Sequence, residues 1–137
     1  MPDDNVDRVR RFFDLLHAKD IDAWASLWAD DAQIIVPYPP EGFGTTVDGK
    51  DEIVATFHRL FGNFERFDYS IRALYRTDDP DIVVVEWSGS AMIASTGEPY
   101  ESDPITVFVF DGGKIVRYHD YFDPRRFARV VEALPSV

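Results

Sequence analysis

Residues 102–122, SDPITVFVFDGGKIVRYHDYF, decide the fold. β-Branched and aromatic side chains fill two runs, Ser102–Phe110 and Ile115–Phe122, on either side of a polar Asp-Gly-Gly-Lys turn. A Gly-Gly pair between such runs favours a tight hairpin, because glycine adopts positive φ without strain. The segment therefore predicts two adjacent antiparallel strands.

The residues before this hairpin extend the same pattern. Phe67–Arg76 and Ile82–Ser95 are also rich in β-formers, and polar turn residues separate them at Thr77–Asp81. A second turn is expected at Thr96–Pro99, ahead of the hairpin. Together the four runs predict an antiparallel meander.

The first half of the chain reads as helical. Asp3 or Asp4 can cap a first helix, and Asp20 can cap a second short helix that carries Trp24, Leu27 and Trp28. The first helix has its apolar side chains at helical spacing, namely Val9, Phe12, Phe13 and Leu16.

Three further elements complete the predicted organisation. Gln33–Val36 is typical of a brief strand, and a loop follows it. Asp51 and Glu52 then begin a third helix whose apolar face includes Phe57 and Phe61. Asp123 and Pro124 begin a closing helix. The expected fold is a single α+β domain over residues 1–137, with a curved antiparallel sheet wrapped around the N-terminal helices and a C-terminal helix.

Composition limits the partners. The chain has 14 Lys and Arg against 25 Asp and Glu, a formal net charge of −11, which disfavours nucleic acid and anionic membranes. It has no cysteine, and its three histidines are too scattered for a metal-ligand set, so we expect no metal and no cofactor. No apolar run approaches the ~20 residues of a membrane helix, and the chain opens without an apolar leader. We therefore expect a cytoplasmic protein.

The last strand contains the most informative candidate. Its period-two pattern puts Val116, Tyr118, Asp120 and Phe122 on the inner face and Ile115 on the outer face. An acid among apolar rings is costly unless it is paired or its pKa is shifted, so Asp120 is either a functional acid or a rim residue that meets water.

Three other candidates are weighed in the same way. The alternation of residues 83–88 puts Glu86 on the outer face of the sheet. His58, at the edge of the third helix's apolar face, either lines a cavity or borders the core. Tyr38, in a Pro-rich turn, either stands at a pocket mouth or packs within its loop.

Three stretches resemble the SnoaL-like branch of the NTF2-like superfamily. They are KDIDAW (19–24) running to ADDA (29–32), GKDEI (49–53), and FDGGKI (110–115) leading into YFDP (121–124). The resemblance implies a cone with an apolar pocket at its open end, commonly in a homodimer. We expect that dimer to form through the outer sheet face, near Ile82 and Val84 beside Glu86.

The family's catalytic residues carry over only in part. In ketosteroid isomerases a base Asp precedes a Pro-aromatic pair, whereas Val36 stands there here, and their oxyanion Tyr and Asp fall near Phe12 and Thr106. The Arg-x-Asp pair of limonene-epoxide-hydrolase-like enzymes is absent from every predicted strand.

Polyketide cyclases and PhzA/PhzB phenazine-biosynthesis proteins give a closer parallel. They keep an acid on the last strand, and Asp120 matches that position. The PhzA/PhzB histidine of the third helix falls nearer Thr56 than His58, so that part of their pattern is not reproduced.

Two functions follow as hypotheses. In the first, an enzyme isomerises, cyclises or condenses a cyclic or polyketide-like substrate by acid/base catalysis at Asp120. In the second, a non-catalytic or accessory protein only binds a small apolar or aromatic molecule. The residues expected to contact that ligand are Tyr38, Tyr118, Phe122, Trp28, Phe57, Phe61, His58 and Trp87.

Overall fold

Four helices and seven strands form the part of the chain that the computed structural model describes, residues 4–134. In chain order they are α1 (Asn5–His17), α2 (Ile21–Ala25), β1 (Trp28–Ile35), β2 (Thr46–Asp48), α3 (Lys50–Gly62), β3 (Phe64–Arg76), β4 (Ile82–Ile93), β5 (Pro99–Ser102), β6 (Ile105–Asp111), β7 (Lys114–Tyr121) and α4 (Pro124–Glu132). The predicted order, helices first and then a meander, is confirmed.

The strands form one curved, unclosed sheet in the order β2-β1-β7-β6-β4-β3, and β5 pairs with β4 beside β6. Every pair is antiparallel except one: β1 runs parallel to β7, with Ile34 opposite Tyr118. This parallel pair brings the first and last strands of the chain together and completes the cone.

Side chains at the helix starts explain why the helices begin where they do. The Asp4 and Asp20 carboxylates accept backbone N–H bonds from Asp7 and Ala23 at 3.0 and 3.1 Å, and Asp123 caps α4 ahead of Pro124. Asp3, the alternative cap of α1, lies outside the described residues. None of the helices described is long and apolar enough to cross a lipid bilayer.

The core is built on rings that meet around Phe12 of α1. Its ring centroid lies 5.5 Å from that of Trp24, 6.2 Å from Trp28, 5.0 Å from Phe108 and 5.4 Å from Tyr118. Phe12 is fully buried. Because these partners belong to α2, β1, β6 and β7, one side chain joins five elements, and we call this group the Phe12 cluster.

The strand boundaries depart from prediction in three places. Trp28, expected on the second helix, begins β1, because α2 ends at Ala25. The predicted strand Ser102–Phe110 is two strands, β5 and β6, interrupted before Ile105 by Pro104, which has no N–H for the ladder. The loop before α3 contains the short strand β2, which pairs with β1.

A bulge changes the faces of β7. Phe110 pairs with Ile115 but Val109 pairs with Arg117, so Val116 is an extra residue in the ladder. Ile115 is therefore buried, and the prediction that it faces outward is wrong, as is the inward placement of Val116. Beyond the bulge, the alternation again puts Tyr118 and Asp120 on the inner face.

The Phe12 cluster yields a prediction about stability. Phe12→Ala should lower the free energy of unfolding by about 3–5 kcal/mol, the usual cost of truncating a fully buried phenylalanine. Urea denaturation followed by tryptophan fluorescence measures it. As a control, Tyr38→Ala removes a ring that is 64% exposed and should change stability by less than about 0.5 kcal/mol. Equal effects of the two variants would contradict the assigned core.

Candidate functional site

A cavity of about 100 Å³ lies on the inner side of the sheet, beside the Phe12 cluster. Its walls come from α1, α3, α4 and the inner faces of the strands, and they are almost entirely apolar. Six of the residues singled out in the sequence line it: Phe57, Phe61, Trp87, Tyr118, Asp120 and Phe122.

Three predicted ligand contacts lie elsewhere. Trp28 is 1% exposed and packs between Trp24 and Tyr118 in the core. Tyr38 projects into solvent from its loop. The His58 imidazole is exposed, with Nε2 3.7 Å from the Asp22 carboxylate. Trp28, Tyr38 and His58 therefore lie outside the set of residues that line this cavity.

Asp120 reaches the cavity because of the β6–β7 register. It stands directly opposite Thr106, so the two side chains share the inner face. The Thr106 hydroxyl donates to Asp120 Oδ1 at 3.2 Å, and it accepts the indole N–H of Trp87 at 3.0 Å. Thr106 is fully buried behind the cavity wall.

The surroundings of Asp120 favour its neutral form. Burial among apolar side chains raises the pKa of Asp120 from 3.8 to about 7, although the hydrogen bond from Thr106 opposes the rise. No Lys, Arg or His is among the described residues that line the cavity, so no cation among them offsets the cost of burying the charge. Near neutral pH the carboxyl group can therefore both take up and release a proton.

Two phenols accompany the acid. Burial raises the pKa of Tyr100 to about 12, and burial together with the nearby Asp120 raises the pKa of Tyr118 well above its usual range. Both side chains line the cavity. Because both stay protonated near neutral pH, each offers a hydroxyl that can donate a hydrogen bond.

Tyr100, Phe127 and Thr106 are among the residues of this site that sequence reasoning missed. Tyr100 lies in β5, a short strand that the sequence pattern does not predict, and Phe127 lies in α4. Thr106 was noted only as the position of an acid in ketosteroid isomerases. Its signal was available, since the alternation of Thr106, Phe108 and Phe110 places a hydroxyl on the inner face.

Glu86 lies on the outer face, as its alternation predicts, since both flanking residues Val85 and Trp87 are buried. Its carboxylate accepts a hydrogen bond from the Tyr75 hydroxyl at 2.5 Å. Within residues 4–134, no group of three or more His, Asp or Glu side chains is placed to hold a metal ion.

The raised pKa of Asp120 predicts how stability depends on pH. The unfolded chain loses this proton near the ordinary value of about 3.9, whereas the folded protein keeps it up to about pH 7. The free energy of unfolding of the wild type should therefore fall relative to that of Asp120→Asn as pH rises from about 4 to 7. Urea denaturation of both proteins across this range measures the difference.

An exposed acid provides the control for that comparison. Asp111 is the last residue of β6, next to the hairpin turn, and Asp111→Asn makes the same chemical change outside the cavity. The difference in the free energy of unfolding between Asp111→Asn and the wild type should stay constant between pH 4 and 7, unlike the difference for Asp120→Asn. A difference between wild type and Asp120→Asn that stays constant over this range would contradict the assigned environment of Asp120.

Comparison with known proteins places this geometry in a family. Residues 9–118 match the model of the SnoaL-like domain, a match that ends just before Asp120. The chain is 30% identical to the uncharacterised protein YesE of Bacillus subtilis over 116 residues, 85% of this chain and 79% of that protein. It is also 30% identical over 123 residues to the uncharacterised PhzA/B-like protein PA3332 of Pseudomonas aeruginosa, covering 90% of this chain and 84% of that one.

A solved structure agrees. A candidate isomerase from Bacillus subtilis superimposes with a TM-score of 0.82 at 28% identity, over 93% of this chain and 92% of that one. The cone-shaped sheet, the cavity inside it and the match over most of the sequence lead to one conclusion: this chain belongs to the SnoaL-like family of NTF2-like proteins.

Proposed function

We propose that this protein is a small-molecule enzyme in which Asp120 catalyses proton transfer on an apolar cyclic substrate. One observation carries the proposal: a carboxyl group faces an aromatic cavity whose lining residues include no cation. A protein that needed this position only for packing would be more stable with an apolar residue there. The chemistry needs no cofactor.

The reaction begins with the Asp120 carboxylate as general base. It takes a proton from a carbon atom next to a substrate carbonyl, and the C–H bonding electrons move into an enolate whose negative charge lies on the carbonyl oxygen. The hydroxyls of Tyr100 and Tyr118 are the cavity's candidate donors to that oxygen. Asp120, now neutral, returns the proton to another carbon in an isomerisation, or to the product oxygen after a cyclisation or condensation.

The size and charge of the cavity narrow the substrate class. A volume of about 100 Å³ is below that of a ~150 Å³ engineered cavity that holds benzene. A compact ligand of about one ring therefore fits with small side-chain movements, whereas a longer polyketide-like chain requires the walls to open. The absence of Lys, Arg and His among the lining residues disfavours an anionic ligand.

The alternative is a protein that binds such a molecule without turning it over. It is favoured by the presence of a single carboxyl group among the described residues that line the cavity, since no second carboxyl, imidazole or amine among them can share the proton transfers. The two functions predict the same ligands, and only turnover separates them.

We also propose that the protein forms a homodimer through the outer face of the sheet. Apolar side chains surround Glu86 there: Tyr75, which bonds to it, is 48% exposed, and Ile105, its partner across the β4–β6 ladder, is 41% exposed. Tyr121, opposite Ile105, is 39% exposed. Together these four residues form the outer-face patch, and a second copy would cover their exposed apolar surface.

Proton abstraction can be tested before the natural substrate is known. A panel of small cyclic ketones and enones is incubated with the protein in D2O, and hydrogen–deuterium exchange beside the carbonyl is followed by NMR. Asp120→Asn should reduce protein-catalysed exchange by ~10²–10⁴-fold, the usual effect of losing an acid/base group. Asp111→Asn should leave it unchanged.

Binding of the same panel, measured by thermal shift, separates the remaining outcomes. Ligands that bind to both wild type and Asp120→Asn but exchange no hydrogen with either would favour the non-catalytic alternative. Exchange that survives unchanged in Asp120→Asn would refute the role of Asp120.

The dimer proposal has its own test. Sedimentation equilibrium at micromolar concentration should give twice the mass of the chain, and Ile105→Lys should give the monomer because it places a charge in the outer-face patch. Thr45→Lys, in the exposed loop before β2, is the matched control and should remain dimeric. A monomeric wild-type protein would count against the proposal.

A further inference from the structure

Three side chains from three strands form a chain of hydrogen bonds, and only the middle one, Thr106, lies behind the cavity wall. Trp87 on β4 donates to Thr106 on β6, and Thr106 donates to Asp120 on β7, at 3.0 and 3.2 Å. Thr106 is wholly buried and does not line the cavity, so its hydroxyl cannot touch a ligand there. It reaches the site through the Asp120 carboxyl group, and its side chain also lies within hydrogen-bonding reach of the Tyr118 hydroxyl.

The chemistry of the indole sets the direction of this chain. An indole N–H can only donate a hydrogen bond, so the Thr106 oxygen must act as the acceptor toward Trp87. A hydroxyl has one proton, and with its oxygen engaged by the indole that proton is directed at Asp120 Oδ1. The other carboxyl oxygen, Oδ2, makes no hydrogen bond to any residue that the structure describes.

The absence of a side chain at Gly89 leaves room for the indole. A Cβ atom at this position would stand 2.8 Å from Cζ3 of Trp87, closer than real Cβ contacts allow, and 3.2 Å from the Phe67 ring, which is tighter than most such contacts. Glycine therefore lets the indole lie across β4 toward Thr106. On its other side the indole packs against Phe13, with ring centroids 4.8 Å apart.

We propose that Thr106 is a positioning residue held by Trp87: its hydroxyl fixes Asp120 Oδ1 and so presents Oδ2 to the ligand. This inference rests on the proposed function of Asp120 for its catalytic meaning, although the hydrogen-bond geometry itself does not. A carboxylate held by one oxygen keeps the other in a defined direction, which proton transfer requires.

The same contact governs the charge state of the acid. A hydrogen bond donated by Thr106 stabilises the carboxylate more than the neutral acid. The titratable groups facing Asp120 are Tyr118 on its own strand and Tyr100 on β5, both protonated near neutral pH. From β4 and β6 only Trp87 and Thr106 approach it through the hydrogen-bond chain, and neither titrates. Thr106 is thus the side chain that counteracts the effect of burial on the acid.

The test is an NMR titration of the Asp120 side-chain carboxyl carbon, with Asp120→Asn identifying its signal. Thr106→Val keeps the shape but removes the hydroxyl, and the pKa of Asp120 should rise by about one pH unit. Thr106→Ser restores the hydroxyl and should return the pKa toward the wild-type value. Trp87→Phe frees the Thr106 hydroxyl to turn and accept from neutral Asp120, so the pKa should rise, though by less.

Each outcome bears on the inference independently of any substrate. Titrations of Thr106→Val and Thr106→Ser that coincide with the wild type would overturn it. A rise in both Thr106→Val and Thr106→Ser would also overturn it, because packing rather than the hydroxyl would then be the cause. Amide NMR spectra check that each variant is folded, and Gly89→Ala, which must displace the indole, is a second route to the effect of Trp87→Phe.

Deuterium exchange then links the pair to catalysis. In Thr106→Val the pH at which exchange reaches half its maximum should move upward by the same amount as the pKa, and Thr106→Ser should restore it. If exchange never depends on Asp120, the proposed function fails while the NMR titration still decides whether Thr106 positions the acid. If the pKa of Asp120 rises in Thr106→Val but the pH profile of deuterium exchange does not change, Thr106 has no role in catalysis.

Discussion

The packing of rings around Phe12 is the constraint on which the rest of the molecule depends. Helix α1 delivers this side chain to a point where α2, β1, β6 and β7 all supply an aromatic partner. These rings fill one part of the inner face of the sheet completely. The remaining part of that face encloses the small cavity. Tyr118 belongs to both regions, since its ring stacks on Phe12 and also lines the cavity. The solid cluster thereby provides a rigid floor for the site.

Beside this cluster lies Asp120, a group whose burial lowers the stability of the folded protein. Asp120 has no cationic partner among the cavity residues, and ionising it above neutral pH opposes folding. The hydrogen bond from Thr106 offsets part of this cost but not all of it, since the pKa of Asp120 still lies near 7. A buried carboxyl group that lowers stability and is held by a directed hydrogen bond is typical of functional positions.

The sequence predicted what depends on local periodicity. The alternation in β4 and the helical spacing in α1 identified the inner faces, and the hairpin turn placed β6 beside β7, which carried Asp120 into the interior. The sequence-based prediction failed where tertiary contacts determine which way a side chain faces. The bulge at Val116 exists because of the pairing with Phe110, and nothing local marks it.

The misplaced site residues have similar causes. Trp28 has the size and polarity of a ring that contacts a ligand, but it packs against Phe12, Trp24 and Tyr118 in the Phe12 cluster. Thr106 reads as an ordinary β-branched strand residue, and its partners, Trp87 and Asp120, are brought to it only by the sheet. The acid was therefore identifiable from the sequence. The alternation of β6 also placed the Thr106 hydroxyl on the inner face, but its hydrogen bond to Asp120 was not identifiable.

The parallel pairing of β1 with β7 has a consequence for how the chain is made. Ile34 meets Tyr118, so most of the polypeptide must be synthesised before the two strands can join. Until then β1 has an unpaired edge, and the wall that carries Asp120 is missing. Contacts between such distant segments slow folding, because a long loop must close before they form. Nascent chains on the ribosome that lack β7 would thus have neither the closed cavity nor Asp120. Truncation of the protein before β7 should leave an aggregation-prone fragment rather than a smaller binding protein.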